Sequence, residues 1–248
     1  MNDNLLRIQN LNVFYHNFQA IYDLSMNIPK GKITSIIGAN GAGKSTLLKA
    51  ICGLIRPVSG KILMRGKDIT GLQPNKIARE GIIMSPEGSG VFPAMTVREN
   101  LLMGAYLPDA YEKRTQLLEK VYALFPVLKD KSRQLATFLS GGQRQMLAIG
   151  RAIMADPELI ICDEVSLGLS PVIIKDIYAK IHEINQEGKT VILVEQEVKR
   201  SLNHSDYSYI LVKGTVVMQG ESEALSEQAV SDAYFGIEKS EMGGPVSC

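Results

Sequence analysis

Gly38-Ala39-Asn40-Gly41-Ala42-Gly43-Lys44-Ser45-Thr46 is the stretch on which the fold turns. It has the spacing GxxxxGK[ST], follows the β-branched run Ile33-Thr34-Ser35-Ile36-Ile37, and leads into a helical pattern from Lys44 to Cys52. Strand, glycine loop and helix in that order are the context a phosphate-binding loop needs. Gly38, Gly41 and Gly43 let the backbone curl, so that successive N–H groups and a helix N-terminus face the β- and γ-phosphates of a nucleotide. Lys44 adds a positive charge there, and Ser45 offers a hydroxyl to Mg²⁺. Gly38 to Thr46 as a whole is read as a nucleotide-binding site.

Outward from this loop, short β-rich runs alternate with amphipathic segments. Lys32 to Gly38, Lys61 to Arg65, Gly81 to Ser85, Leu159 to Cys162 and Thr190 to Val194 read as strands, several of them apolar on both faces as buried parallel strands are. Helices are predicted at Lys44 to Cys52, closed by Gly53, at Val97 to Leu107, closed by Pro108, at Gly141 to Ala155, and at Pro171 to Gln186, closed by Gly188. Tyr207 to Val212 and Thr215 to Gln219, joined across Lys213-Gly214, read as a hairpin. Ala94 to Leu102 reads as a helix start with Thr96 and Glu99 as a capping box. Ser170-Pro171 reads as an N-cap followed by a first-turn proline. From Phe92 to Ala155 helical patterns run without a strong strand between them. The expected fold is therefore α/β. It has a P-loop NTPase core on a parallel sheet, an antiparallel β region and an inserted α-helical subdomain. The chain is expected to form one domain, with residues 5–91 and 156–237 as the α/β core, 92–155 as the helical subdomain and 238–248 as a flexible tail.

Composition narrows the class. With 248 residues, 45% of them hydrophobic and 21% charged, the chain has ample material for a core. A net charge of +1 removes the broad basic field that non-specific nucleic-acid binding needs, so nucleic acid is not an expected partner. Cys52, Cys162 and Cys248 are far apart and odd in number, which suits neither a disulfide framework nor a CxxC site and suggests a reducing compartment. Met1-Asn2-Asp3-Asn4 has neither the charge nor the apolar run of a signal peptide. No run of about 18 apolar residues, the length needed to span a bilayer, occurs in the sequence.

A second chemical element follows the apolar run Leu159 to Cys162, where Asp163 and Glu164 emerge at the end of a strand, the place where α/β sheets bind ligands. Asp163 would hold Mg²⁺ through water, and Glu164 would polarise the water attacking the γ-phosphate. A third is Leu139-Ser140-Gly141-Gly142-Gln143, a hydroxyl and paired glycines at a helix start. Its reading as a plain N-cap, with glycines easing packing, stands alongside. Phosphate loop, LSGGQ and Asp-Glu in this combination resemble the ATP-binding subunit of ABC transporters, over about residues 5 to 235. The resemblance implies that Ser140, Gly141, Gly142 and Gln143 contact ATP held by a partner cassette in a head-to-tail dimer. It also implies that Tyr15 stacks on adenine, with Phe14 as the alternative.

Three positions depart from the wider family pattern. Glu87, in Ser85-Pro86-Glu87-Gly88, stands where a glutamine is usual, and its carboxylate can serve as a Mg²⁺ ligand. Gln196, in Val194-Glu195-Gln196-Glu197, stands where a histidine usually meets the γ-phosphate; it can donate a hydrogen bond but cannot become cationic. Ser170 replaces a usual aspartate. His16, His182 and His204 lie elsewhere and read as ordinary surface or core residues. Together the departures resemble the second ATP-binding subunit of branched-chain (hydrophobic) amino acid importers, with Val165 a small deviation where that branch has proline. The resemblance implies an ATPase peripheral to the cytoplasmic face of the cell membrane. Its implied partners are a second cassette, in a homo- or heterodimer, two membrane permeases and, indirectly, an external solute-binding protein. Val91, Phe92 and Met95 are either core or the seat of a permease coupling helix. Two alternatives stay open: an ATP-binding regulatory half-site with little hydrolysis of its own, or the same motor serving urea or amide uptake.

Overall fold

The computed structural model describes residues 4–88 and 90–233. In chain order its elements are β1 (Asn4–Tyr15), β2 (Phe18–Pro29), β3 (Ile33–Ile37), α1 (Lys44–Ile51), β4 (Ser59–Met64), β5 (Lys67–Asp68), α2 (Pro74–Arg79), β6 (Ile82–Ser85), α3 (Val97–Gly104), α4 (Pro108–Glu112), α5 (Arg114–Leu124), α6 (Pro126–Asp130), α7 (Gly141–Ile153), β7 (Leu159–Asp163), α8 (Pro171–Gln186), β8 (Thr190–Glu195), α9 (Val198–Asn203), β9 (Tyr207–Val212) and β10 (Thr215–Glu221). They form two sheets. The smaller is antiparallel in the order β2-β1-β4-β5, and the larger runs β10-β9-β3-β8-β7-β6. Within the larger sheet β9, β3, β8, β7 and β6 are parallel and only β10 is antiparallel.

Strand periodicity explains how the large sheet serves two cores. On β7, Leu159 and Ile161 join one hydrophobic cluster and Ile160 and Cys162 the other; on β8, Ile192 and Val194 oppose Val191 and Leu193 in the same way. The first cluster sandwiches α1 between the two sheets, against Leu6, Ile8, Ile21 and Met26. The second packs the other face against α3, α5, α7 and α8. Burial on both faces is why these strands are unbroken apolar runs.

The helices α3 to α7 fall between β6 and β7, which are hydrogen-bonded neighbours in the sheet. α3 and α7 approach closely because glycines stand at the crossing. A Cβ on Gly104 would come within 2.3 Å of the Arg151 carbonyl, and one on Gly150 within 2.9 Å of Leu101 and Val121. The expected capping box opens α3, with Glu99 N–H donating to Thr96 Oγ1 at 3.2 Å and Thr96 N–H to Glu99 Oε2 at 2.8 Å.

Several expectations need correction. The helix from Val97 ends at Gly104 and not at Leu107, and Pro108 occupies the first turn of α4, where its missing N–H costs nothing. Ser170 takes the N-cap position of α8, but its side chain makes no capping hydrogen bond. The β1–β2 hairpin, 12 residues per strand, was not read as a pair from the sequence. Its turn has no Asn-Gly or Asp-Gly, and its register is broken by irregularities at several points, which blur the alternation. The β9–β10 hairpin forms as expected, and β9 also pairs with β3, adding the hairpin to the large sheet. The expected tail from Glu238 lies outside the described residues.

Candidate functional site

Four neighbouring strands, β3, β8, β7 and β6, run parallel and end at the same edge of the sheet. From those ends continue Gly38, Gln196, Glu164 and Glu87 respectively. The phosphate loop and positions 87, 164 and 196 therefore converge on a cavity of about 640 Å³. Ala39, Asn40, Gly41, Gly43, Lys44, Ser45, Thr46, Glu87, Glu164 and Gln196 all line it.

The phosphate loop folds as its glycines predict. Gly41 and Gly43 take φ of +81° and +101°, a region that L side chains avoid, and Gly43 is the N-cap of α1. Gly38 and Ala42 are not among the residues lining the cavity; they build the loop from within. A Cβ on Gly38 would lie 2.8 Å from the Leu211 carbonyl, and the buried Ala42 accepts the Gly214 N–H at 2.8 Å. Lys44 is 5% exposed, and its Nζ donates to the carbonyls of Gly38 at 2.8 Å and Ala39 at 3.2 Å. It also pairs with Glu164 Oε1 at 3.4 Å. Ser45 is exposed at the cavity.

Glu164 sits in the left-handed region at φ +47°, an uncommon conformation for a non-glycine residue. Its N–H is held by the Val194 carbonyl at 2.9 Å, and both its carboxylate oxygens accept from Gln196 Nε2 at 2.8 Å. Gln196, Glu164 and Lys44 thus form one contiguous polar group. Asp163 is nearly buried behind it and does not line the cavity. Burial pushes its carboxyl up to about 6, with Glu164 and Glu87 adding to the rise and Lys44 opposing it. Carboxylates crowded in this way suit a cation. Ser45, Glu87 and Asp163 offer hard oxygen donors, as Mg²⁺ requires. Among the described residues no cluster of three His, Cys, Asp or Glu side chains could hold a metal by itself.

Tyr15, Phe18 and Tyr22, all exposed aromatics, also line the cavity. Tyr15 is the last residue of β1, and its hydroxyl lies 3.5 Å from Thr46 Oγ1. Phe14 does not line the cavity. Phe18 and Tyr22 escaped sequence reading because only the β1–β2 register, pairing Tyr15 with Phe18, brings them to this wall.

Ser140 caps α7: the Gln143 N–H donates to its hydroxyl at 3.3 Å and Gln143 Oε1 accepts the Ser140 N–H at 3.2 Å. A Cβ on Gly142 would meet Ile173 at 2.5 Å, so this glycine also eases packing onto α8. None of residues 140–143 lines the cavity.

Sequence reading also missed the buried Glu195. Tyr178 donates its hydroxyl to Glu195 Oε1 at 2.7 Å and Ser166 to Oε2 at 2.8 Å, and Arg200 Nη1 donates to Ser166 Oγ at 2.8 Å. Burial raises the Glu195 pKa, while the two hydroxyl bonds and Arg200 pull it down. His182 and His204 are not independent surface residues either: their Nε2 and Nδ1 lie 3.2 Å apart, and His204 stacks on Tyr178 at 4.4 Å.

A glycine loop between a parallel strand and a helix, with acidic groups at the next strand ends, defines a nucleotide-binding protein of the P-loop class. The chain belongs to the ABC transporter family, whose sequence profile matches residues 21–166. It is an ATPase of the ATP-binding cassette type. Over 233 residues it is 44% identical to the high-affinity branched-chain amino acid transport ATP-binding protein BraG of Pseudomonas aeruginosa, a match spanning 94% of this chain and 100% of that one. It is 38% identical over 224 residues to the probable branched-chain amino acid transport ATP-binding protein LivF of Archaeoglobus fulgidus, covering 90% and 94% of the two chains. Its fold matches the crystal structure of the ADP conformation of MJ1267, an ATP-binding cassette of an ABC transporter, with a TM-score of 0.81 at 28% identity over 97% of this chain and 99% of that one.

Proposed function

We propose that this chain is the ATP-hydrolysing subunit of an importer for branched-chain or other hydrophobic amino acids, working at the cytoplasmic face of the membrane. The observation that carries the reading is the convergence of phosphate loop, Glu164, Gln196 and Glu87 on one cavity with an aromatic wall. The solute class rests on the similarity to BraG and LivF. No described helix is long and apolar enough to cross a membrane, which fits a peripheral subunit attached to two permeases. An external solute-binding protein would act through those permeases.

In this reading the N–H groups of Gly38 to Thr46 and the start of α1 cradle the phosphates, and Tyr15 stacks on the base. Lys44, already shared between loop carbonyls and Glu164, transfers its charge to the β- and γ-phosphates. Ser45, Glu87 and Asp163, the last through water, would hold Mg²⁺, whose charge would help neutralise the phosphates. Release of Lys44 leaves the Glu164 carboxylate to orient the attacking water, with Gln196 steering that carboxylate and donating toward the γ-phosphate. Ser140, Gly141, Gly142 and Gln143, lying outside this chain's own cavity, contact the nucleotide of a second cassette. Val91 and Met95 are half-buried and Phe92 is exposed beneath the Arg151 guanidinium, 4.6 Å from the ring centre. Together with the groove lined by Met84, Pro86, Met103 and Tyr106, which shares Arg151, they form the seat for a permease helix.

The test is Mg²⁺-ATPase activity of wild type and Glu164→Gln, with and without a co-expressed partner cassette, alongside gel filtration in ATP. Partner-dependent turnover that is lost in Glu164→Gln, with that variant trapped as an ATP-bound dimer, is the expected result. Nucleotide binding without turnover in the complete membrane assembly would instead make this chain the regulatory half.

A further inference from the structure

We infer that Glu195 is a positioning residue for ATP hydrolysis: with Ser166 it closes a hydrogen-bonded ring that fixes Glu164 and Gln196 relative to each other. The inference rests on the roles proposed above for Glu164 and Gln196.

The ring is read directly from two chain segments cross-linked twice. Along one run Glu164, Val165 and Ser166; along the other run Glu195 and Gln196. Ser166 Oγ donates to Glu195 Oε2 at 2.8 Å, and Gln196 Nε2 donates to both oxygens of Glu164 at 2.8 Å. A backbone bond, Glu164 N–H to the Val194 carbonyl at 2.9 Å, joins the same two segments next to the ring. The Glu164 N–H fixes the start of the loop after β7 but leaves its next turn untied to the strand. The Glu195 bond ties it to the end of β8 within two residues of Glu164.

A carboxylate is the group this place requires. Glu195 is 3% exposed, and an unpartnered charge there would be costly. Ionised, it only accepts hydrogen bonds, so both its oxygens take hydroxyl donors, Ser166 from the loop and Tyr178 from α8. Giving its proton to Glu195 leaves Ser166 Oγ free to accept Arg200 Nη1 at 2.8 Å, and Arg200 Nη2 is held by Glu197 at 3.0 Å. The direction of every hydrogen bond is thereby set. An amide at 195 would keep the shape but offer only one acceptor, so one hydroxyl would have to reverse or go unpaired. The Glu195 backbone carries the same device to the phosphate loop, since its carbonyl accepts the Gly38 N–H at 3.3 Å.

Glu195 and Ser166 do not line the nucleotide cavity, so their effect on turnover is expected to run through geometry and not through binding. The experiment measures steady-state Mg²⁺-ATPase kinetics and equilibrium ATP affinity of the full chain, in the assembly where wild type turns over. The variants are Ser166→Ala, Ser166→Thr, Glu195→Gln and Glu164→Gln. Ser166→Ala and Glu195→Gln are expected to lower kcat by about 10- to 100-fold, as small misplacements of reacting groups do. Their ATP Kd is expected to stay within about twofold of wild type, a split that separates positioning from binding. Ser166→Thr, which keeps the hydroxyl, is expected to recover most of the rate. Wild-type kcat in Ser166→Ala overturns the inference, as does a kcat loss matched by an equal loss of ATP affinity, or a failure of Ser166→Thr to rescue. Wild-type turnover in Glu164→Gln overturns the assignment of Glu164 itself and, with it, the purpose of the ring.

Discussion

Lys44 shows how one buried cation organises the site. Its ammonium is hydrogen-bonded to the Gly38 and Ala39 carbonyls and ion-paired with Glu164, so a nucleotide meets a charge already desolvated and aimed. Removing it in Lys44→Ala is expected to cost about 1.5–3 kcal/mol of ATP affinity, roughly 10- to 150-fold in Kd, as is usual for hydrogen bonds to charged groups. Titration calorimetry with ATP would read the loss, and an unchanged Kd would contradict the placement of the phosphates at this loop. Tyr15 poses a separable question, because it lines the cavity while its hydroxyl makes only a long 3.5 Å contact with Thr46. Tyr15→Ala is expected to lose about 1–3 kcal/mol, the worth of stacking a base on an aromatic face. Tyr15→Phe, in contrast, should bind like wild type. Equal weakening in both variants would shift the role from ring to hydroxyl.

Among the elements, the α3–α7 crossing depends on what its glycines lack. A methyl on Gly104 must displace the Arg151 carbonyl and Met154, neither of which is a flexible side-chain tip. Gly104→Ala is therefore expected to destabilise by about 1–3 kcal/mol, a fall in Tm of roughly 2–12 °C. Met103→Ala, one residue away and half-exposed, should change Tm little. The α3 cap offers a pH-sensitive counterpart. The Thr96 N–H and hydroxyl hold the Glu99 carboxyl below its ordinary value, so its share of the cap is complete above the unfolded glutamate pKa and disappears as pH falls through the lowered one. Thr96→Ala is expected to cost about 0.5–2 kcal/mol at neutral pH and less in acid, by denaturant unfolding at both pH values. The capping box was legible in the sequence because Thr and Glu three residues apart make all its bonds locally. The early end of α3 at Gly104 was overshadowed by Pro108, although the glycine itself is a helix-ending residue.

For the molecule as a whole, the large sheet is the shared wall of both hydrophobic cores, and Cys162 lies within it at 1% exposure. Burial pushes its thiol up to about 12, which keeps it protonated at pH 8. Alkylation of Cys162, followed by peptide mapping, is expected to proceed only through global opening and to slow when ATP is bound. Rapid labelling in native buffer would show that the sheet opens locally.

The sequence by itself determined the phosphate loop, the parallel α/β core, the acidic strand end at Asp163-Glu164 and the helix start at Ser140, because each depends on residues adjacent in the chain. Glycine positions, cap spacing and apolar runs are local signals. Only the tertiary structure decided that Phe18 and Tyr22 stand beside Tyr15, that Glu195 is buried beneath the Ser166 and Tyr178 hydroxyls, and that Gln196 grips Glu164. Those contacts join positions up to 32 residues apart, and β8 lies between β3 and β7 although it follows both in the chain. Which strand lies beside which is set by burying both faces of the sheet at once, a condition that no window of sequence contains.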